Sequence, residues 1–181
     1  MKSRQLTAAR YAKALFAIAR ESGATEGFLR ELEQFAAELH GNRELETVLL
    51  RPWIKPAERQ QVAVEVAKRA GCSPLVQKAL GLVAARGRMD HLPELVETYR
   101  DLVDVEAGRV RAGVRSAVAF TEDEKKQLAA RLGHALGKQV IIQETVDPSL
   151  LGGFVAQVGS LILDGSLDGQ LARVRERLAR G

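Results

Sequence analysis

The chain of 181 residues carries 27 Lys/Arg against 23 Asp/Glu, a net charge of +4, with 46 % hydrophobic and only 4 % aromatic residues. That apolar share supports a core and excludes wholesale disorder, and no run nears the ~20 uncharged apolar residues of a membrane span. The excess charge is even: residues 1–105 hold 16 basic and 14 acidic residues and residues 106–181 hold 11 and 9, so each part is +2 and no basic tail or strip marks a nucleic-acid binder.

The start, "MKSRQLTAARYAKALF", is positively charged but has no long apolar run or small-residue cleavage site, so a cytosolic protein, or one held at a membrane only by a partner, is expected. Its continuation "LTAARYAKALFAIARES" reads as a helix stopped by Gly23. At 100° per residue, Ala14, Ile18, Tyr11, Leu15, Ala19, Ala12 and Phe16 spread over about 200° of arc. One core needs a stripe only somewhat wider than ~100°. The surplus calls for a second neighbour, either another helix of the same domain or a partner.

A second helix from Thr25 sets Phe28, Leu32, Phe35, Ala36 and Leu39 on one face. "NRELETVLLRP" gives a short third, capped by Asn42 and stopped by Pro52. "KPAERQQVAVEVAKRAG" gives a fourth, with Pro56 in its first turn and Gly71 past its end. The fifth, "SPLVQKALGLVAARG", again has an over-wide apolar arc: Gln77 and Lys78 stand almost alone against Leu75, Val76, Ala79, Leu80, Leu82 and Val83. "MDHLPELVETYRDLVDVEAG" forms a sixth, with Leu92, Val96, Tyr99 and Val103 at helical spacing. Six helices with short joints predict a compact bundle. The two wide-arced helices either cross in its core or border a groove for an amphipathic helix from another protein.

After Gly108 the period changes to two. "VRAGVRSAV" places Val110, Ala112, Val114 and Val118 on one side and Arg111 and Arg115 on the other, a strand with one wet face. "TEDEKKQLAARLGHALG" is a helix with a capping box from Thr121 and Glu124, a core stripe of Leu128, Leu132 and Leu136, and Gly137 as its stop. "KQVIIQETV" is a second strand. In "DPSLLGGFVAQVGSLILDGSL" the glycines lack the G-x-x-x-x-G-K-[ST] and G-x-G-x-x-G spacings of phosphate cradles. They read as turns: Asp147-Pro148, a tight bend or bulge at Gly152-Gly153, extended apolar chain, then Asp164-Gly165-Ser166. Ser166 caps a last helix with Leu167, Leu171, Val174 and Leu178 on one face and Arg173, Arg177 and Arg180 outside. The fold class is therefore mainly α with a small α/β part: an N-terminal six-helix bundle and a small C-terminal α/β domain.

No catalytic constellation emerges. His40, His91 and His134 have no ligand partner at i+3 or i+4, and neither G-x-S-x-G nor H-E-x-x-H occurs. Glu122, Asp123 and Glu124 sit where acidic residues complement a helix N-terminus. Cys72 is the one cysteine and is read as an idle thiol. No catalytic residue, cofactor site or metal site is expected, and the chain reads as an interaction protein.

Three stretches together carry a resemblance: "ARYAKALFAIA", "RGRMDHLPELVETYRDL" and "VDPSLLGGFVAQVGSLILDGSLDGQLARVRERL". They resemble the delta subunit of bacterial F-type ATP synthase, whose mitochondrial counterpart is the oligomycin-sensitivity-conferring protein, in order and over nearly the whole chain. The resemblance implies a non-catalytic stator subunit at the cytoplasmic face of the cell membrane, joining the catalytic head to the membrane-anchored stalk. It implies that residues 1–105 bind the N-terminal helices of the alpha subunits and that residues 106–181 bind the C-terminus of the b subunit. Carried over, the alpha-binding groove between the first and fifth helices uses Tyr11, Ala14, Leu15, Ile18, Ala79, Leu82 and Val83. The b-binding residues stay unassigned, because a domain of about 75 residues needs Leu161, Leu171 and Val174 for its own core. The alternative is a basic helical adaptor for nucleic acid or another protein.

Overall fold

The computed structural model describes residues 2–51, 53–159 and 161–179, without the side chains of residues 2–4, 174, 176, 177 and 179. The stop expected at Pro52 and the side-chain positions expected for Val174, Arg177 and Arg180 fall outside the described residues. The chain divides into two compact units, Met1–Val103 and Asp104–Gly181.

The first unit is built from α1 (Lys2–Glu21), α2 (Thr25–Gly41), α3 (Arg43–Leu50), α4 (Pro56–Arg69), α5 (Pro74–Ala85), a 3-10 turn (Met89–His91) and α6 (Leu92–Glu106), whose last residues run into the second unit. The sixth helix thus begins with a tighter turn than its sequence pattern suggests. Local chemistry sets several starts. The Asn42 side chain accepts hydrogen bonds from the backbone N–H groups of Glu44 and Leu45 at the head of α3. Ser73 accepts from Val76 at the head of α5, while its own N–H and hydroxyl donate to Glu31 of α2 at 2.7 and 2.8 Å. Tyr99 of α6 is wholly buried, stacks on Phe28 at 5.2 Å, meets Phe16 edge-on at 5.7 Å and donates to the Thr25 carbonyl. Gly81 lets α4 and α5 approach closely, since a Cβ there would lie 2.8 Å from a Val64 methyl and 3.3 Å from Gln60 Cγ.

The second unit holds β1 (Arg109–Ser116), α7 (Glu122–Leu136), β2 (Gln139–Val146), β3 (Phe154–Val158), β4 (Leu161–Asp164) and α8 (Leu167–Ala179). The sheet order is β2-β1-β3-β4. β1 and β2 are parallel, with Val110 beside Val140 and Val114 beside Glu144, and α7 is the crossover between them. β3 is antiparallel to β1, and β4 to β3. Ala112, Val114, Leu132, Val140, Ala156 and Val158 form the buried centre, with Leu128, Leu136, Ile142, Phe120 and Phe154 against it. The capping box is complete: Thr121 accepts from Glu124 N–H, and Glu124 accepts from Thr121 N–H at 2.8 Å.

Two expectations need correction. Val118 does not continue the buried side of β1, because pairing ends at Ser116 and Val118 is 75 % exposed. Leu161 and Leu171 are not core residues either, being 44 % and 52 % exposed. Leu161 lies on the four-residue strand β4 at the edge of the sheet, outside the cluster that Leu128, Leu132 and Leu136 of α7 form with β1, β2 and β3.

The glycine-rich stretch folds as two turns packed on one another. Gly153 has φ +77°, and a Cβ on it would drive into the Gly165 carbonyl oxygen and stand 3.0 Å from Ser166 Cα. Gly165 N–H donates to the Phe154 carbonyl at 3.0 Å and Leu167 N–H to the Gly152 carbonyl at 2.9 Å. Ser166 Oγ accepts from Gly169 N–H, capping α8. Other backbone groups here are paired as well, Gly153 carbonyl with Ala117 N–H, Leu151 N–H with Asp168 and Ser166 N–H with Asp164.

Candidate partner-binding surfaces

α1 and α5 divide their wide apolar arcs between a shared core and solvent. On α1, Ala8, Ala12, Leu15 and Ala19 are buried, Tyr11 and Phe16 are half-buried against that core, and Ala14 and Ile18 face out. On α5, Val76, Ala79, Leu80 and Val83 are buried and Leu82 faces out. Of the seven residues assigned to the groove, Leu15, Ala79 and Val83 therefore belong to one buried cluster with Tyr11 packed on it. Ile18 and Leu82 remain 47 % and 48 % exposed. A side chain of that kind is free to gain burial against a partner, whereas Val83, at 2 %, has none left to gain.

Sequence periodicity missed a second feature of α1. A cavity of about 520 Å³ lies between α1 and α6, lined by Gln5, Leu6 and Ala9 on one side and Glu94, Glu97, Thr98 and Asp101 on the other. Leu6 is 66 % exposed there. The acidic residues follow one another at steps of three and four along α6, a helical spacing visible in the sequence only once α1 is known to lie opposite.

In the second unit the charged groups serve the fold. Asp104, buried at the end of α6, takes Arg109 Nε at 3.1 Å and also Arg111. Glu144 accepts from Phe120 N–H at 2.6 Å and from the Ser116 hydroxyl, and pairs with Lys125 at 3.3 Å. The Phe120 N–H foremost, then Ser116 and Lys125, outweigh partial desolvation and hold the Glu144 carboxyl below its ordinary range. Beside this network a cavity of about 360 Å³ is lined by Phe120, Glu124, Gln127, Leu128, Arg131, Leu132 and Phe154.

Cys72 is 4 % exposed, and burial, reinforced by Glu31 and Glu38, pushes its thiol upward, which keeps it protonated. No group of three or more His, Cys, Asp or Glu side chains suited to a metal ion occurs among the described residues. No helix among them is long and apolar enough to cross a membrane.

Known proteins place this architecture. A profile of the family "ATP synthase delta (OSCP) subunit" matches residues 7–178. The chain is 36 % identical over 172 residues to "ATP synthase subunit delta" of Desulforapulum autotrophicum, covering 95 % of this chain and 94 % of that one. It is 39 % identical over 171 residues to "ATP synthase subunit delta" of an Anaeromyxobacter species, covering 94 % and 96 %. Its fold is shared with a chain of the Toxoplasma gondii mitochondrial ATP synthase hexamer, at a TM-score of 0.68 and 21 % identity over 95 % of this chain and 97 % of that one. The chain belongs to the ATP synthase delta (OSCP) subunit family, and it is a peripheral-stalk subunit of the membrane-associated F-type ATP synthase.

Proposed function

We propose that this chain is a non-catalytic stator joint whose first unit grips the N-terminal helices of the alpha subunits and whose second unit holds the C-terminus of the membrane-anchored b subunit. It works at the cytoplasmic face of the cell membrane, attached to the membrane only through its partners. By resisting rotation of the catalytic head, it lets rotor torque drive ATP synthesis.

The observation that carries the upper contact is the half-exposure of Ile18 and Leu82 on helices whose neighbouring apolar residues are buried. An amphipathic helix laid across Tyr11, Ala14, Leu15, Ile18, Ala79, Leu82 and Val83 would read them with anchors at i, i+3, i+4 and i+7. A joint that outlasts many turnovers calls for nanomolar affinity, about −12 kcal/mol. Calorimetric titration with a synthetic peptide of the cognate alpha subunit's N-terminus tests this: saturable one-to-one binding is expected. A well-folded protein that binds neither the peptide nor the intact catalytic head would remove the reading. The alternative of a nucleic-acid adaptor finds no support in a charge pattern where basic and acidic residues interleave.

A further inference from the structure

Arg59 is a buried charge with no answering group. It sits in the first turn of α4, 9 % exposed, and its Nε is sealed from solvent without a hydrogen-bond partner. Among the described residues its guanidinium forms no ion pair either. Burying an unpaired guanidinium costs stability, so such a group is ordinarily paired. It lies against Gly87, just past the end of α5, where a Cβ would stand 2.9 Å from Arg59 Nη1. The last turn of α5 does not take its protons: the Leu82, Val83 and Ala84 carbonyls accept from the N–H groups of Arg86, Arg88 and Gly87 instead.

Helical side chains lean toward the helix N-terminus, so Arg59 adds its charge to the head of α4. No side chain caps that head, whose N-cap is Lys55 and whose first residue is Pro56, and the free N–H groups of a first turn attract anions. More cations gather there. Arg51 and Lys55 are exposed in the lead-in to α4, and Arg86 and Arg88 on either side of Gly87. None of the four pairs with a carboxylate among the described residues. The nearest carboxylates along the chain are Glu58, exposed at the same head, and Asp90, which stands 3.7 Å from His91. Trp53 lies between Arg51 and Lys55, 71 % exposed, with Arg51 4.9 Å over its ring. Two residues of chain reach at most ~7 Å and four of helix rise ~6 Å, so Trp53 and Arg59 are within about 13 Å of each other along the backbone.

We propose that the head of α4 binds a nucleoside polyphosphate, with its phosphates on Arg59, Lys55 and the first-turn N–H groups, flanked by Arg86 and Arg88, and its base on the ring of Trp53. Phosphate oxygens match both a guanidinium fork and a helix head, and any base can stack on an exposed aromatic ring. An acidic peptide offers single carboxylates spaced along a chain. A polyphosphate delivers its charge at one point, which suits cations converging on one helix head. None of these residues belongs to the groove proposed for the alpha subunits, so the two readings stand or fall separately.

Trp53 is the one tryptophan of the chain, so its fluorescence reports on the site directly. The full chain alone, at fixed ionic strength and without magnesium, should be titrated with ATP, with inorganic triphosphate and with a glutamate-rich peptide. ATP should change the emission saturably at one-to-one stoichiometry and bind about fivefold or more tighter than triphosphate, the gain from one stacked base. The peptide should bind more weakly than either. Arg59→Met should weaken ATP binding about tenfold or more yet melt no lower than wild type, because an apolar side chain of similar length removes an unpaired buried charge. Lys55→Ala, at an exposed position, should weaken ATP binding too, while Arg131→Ala in the second unit should not. No binding of ATP, equal affinity for ATP and triphosphate, tighter binding of the peptide, or unchanged affinity in folded Arg59→Met would overturn the proposal. Should Arg59→Met melt lower or fail to fold, Lys55→Ala decides, and unchanged ATP affinity in that variant overturns the proposal.

Discussion

Leu82→Asp should separate binding from folding, because in the proposed groove Leu82 does little for the free protein and much for a docked one. It is 48 % exposed on α5, beside Val83 at 2 %. Docking can remove on the order of 80 Å² more of its surface from water, about 2 kcal/mol at ~25 cal/mol per Å². Loss of that contact weakens binding by about thirtyfold, and desolvating a carboxylate in its place adds to the loss. The free protein gives up only half the burial of one leucine and some helix propensity, about 1 kcal/mol in all. Val83→Asp would instead put a charge in the core and unfold the bundle, so its loss of binding would mean nothing. The assay pairs calorimetric titration against the alpha-subunit peptide with thermal melting followed by circular dichroism. Leu82→Asp should melt within a few degrees of wild type and bind at least about thirtyfold more weakly. An unchanged dissociation constant in the folded variant would refute the argument and place the alpha contact elsewhere.

Gly153→Ala should destabilise residues 104–181 by about 3 kcal/mol or more, since it combines a left-handed backbone with a collision against the Gly165 carbonyl and Ser166. Hydrogen exchange should show loss of protection in β3, β4 and α8 with α1–α5 unaffected, and full protection in the variant would disprove the packed-turn account. Thr121→Ala should cost about 1 kcal/mol of the same unit by removing the capping box, read by urea unfolding. Acid should weaken this unit. Its carboxyls at Glu124, Glu144, Asp147 and Asp164 are held below their ordinary values by the backbone N–H groups of Thr121 and Phe120 and by the hydroxyls of Ser149 and Ser166. Groups depressed in the folded state stabilise fully above the unfolded pKa of ~4 and lose that contribution as pH falls through the lower folded values. Protection of residues 104–181 should therefore drop between about pH 5 and pH 3, and a constant or rising stability there would contradict the assignment.

What the sequence made legible was local or periodic. Thr121 and Glu124 are three residues apart, so their reciprocal caps follow from the chain itself. The over-wide arcs of α1 and α5 needed only residue spacing, but spacing left open whether the surplus met another helix of the bundle or a partner, and it did not say that Ile18 and Leu82 would be the half-exposed residues. Contacts between distant residues were not legible. Glu31 holds Ser73 from 42 positions away and Glu33 pairs with Arg100 from 67 away, and nothing in "FLRELEQF" tells which partner either glutamate will find. The fate of Leu161 and Leu171 turned on strand order. Their apolar character suited a core equally well, and the place of β4 at the sheet edge, beyond the cluster that α7 closes over β1, β2 and β3, left Leu161 in water. The α1–α6 cavity escaped for the same reason, since its two walls are more than 80 positions apart in the chain.

The strand order also fixes a sequence of events during synthesis. β1 is the first strand made, yet it lies inside the sheet, and its neighbours β2 and β3 follow it on the chain. One edge stays open until β2 ends at Val146, 30 residues after Ser116, and the other until β3 ends at Val158, 42 residues after it, and closing those long loops is slow beside the local turns of a helix bundle. The N-terminal unit needs none of that later chain for its core. It can fold on the growing polypeptide while the second unit is still incomplete, so that, under the proposed assignment of partners, the head-side contact becomes available first and the stalk-side contact last.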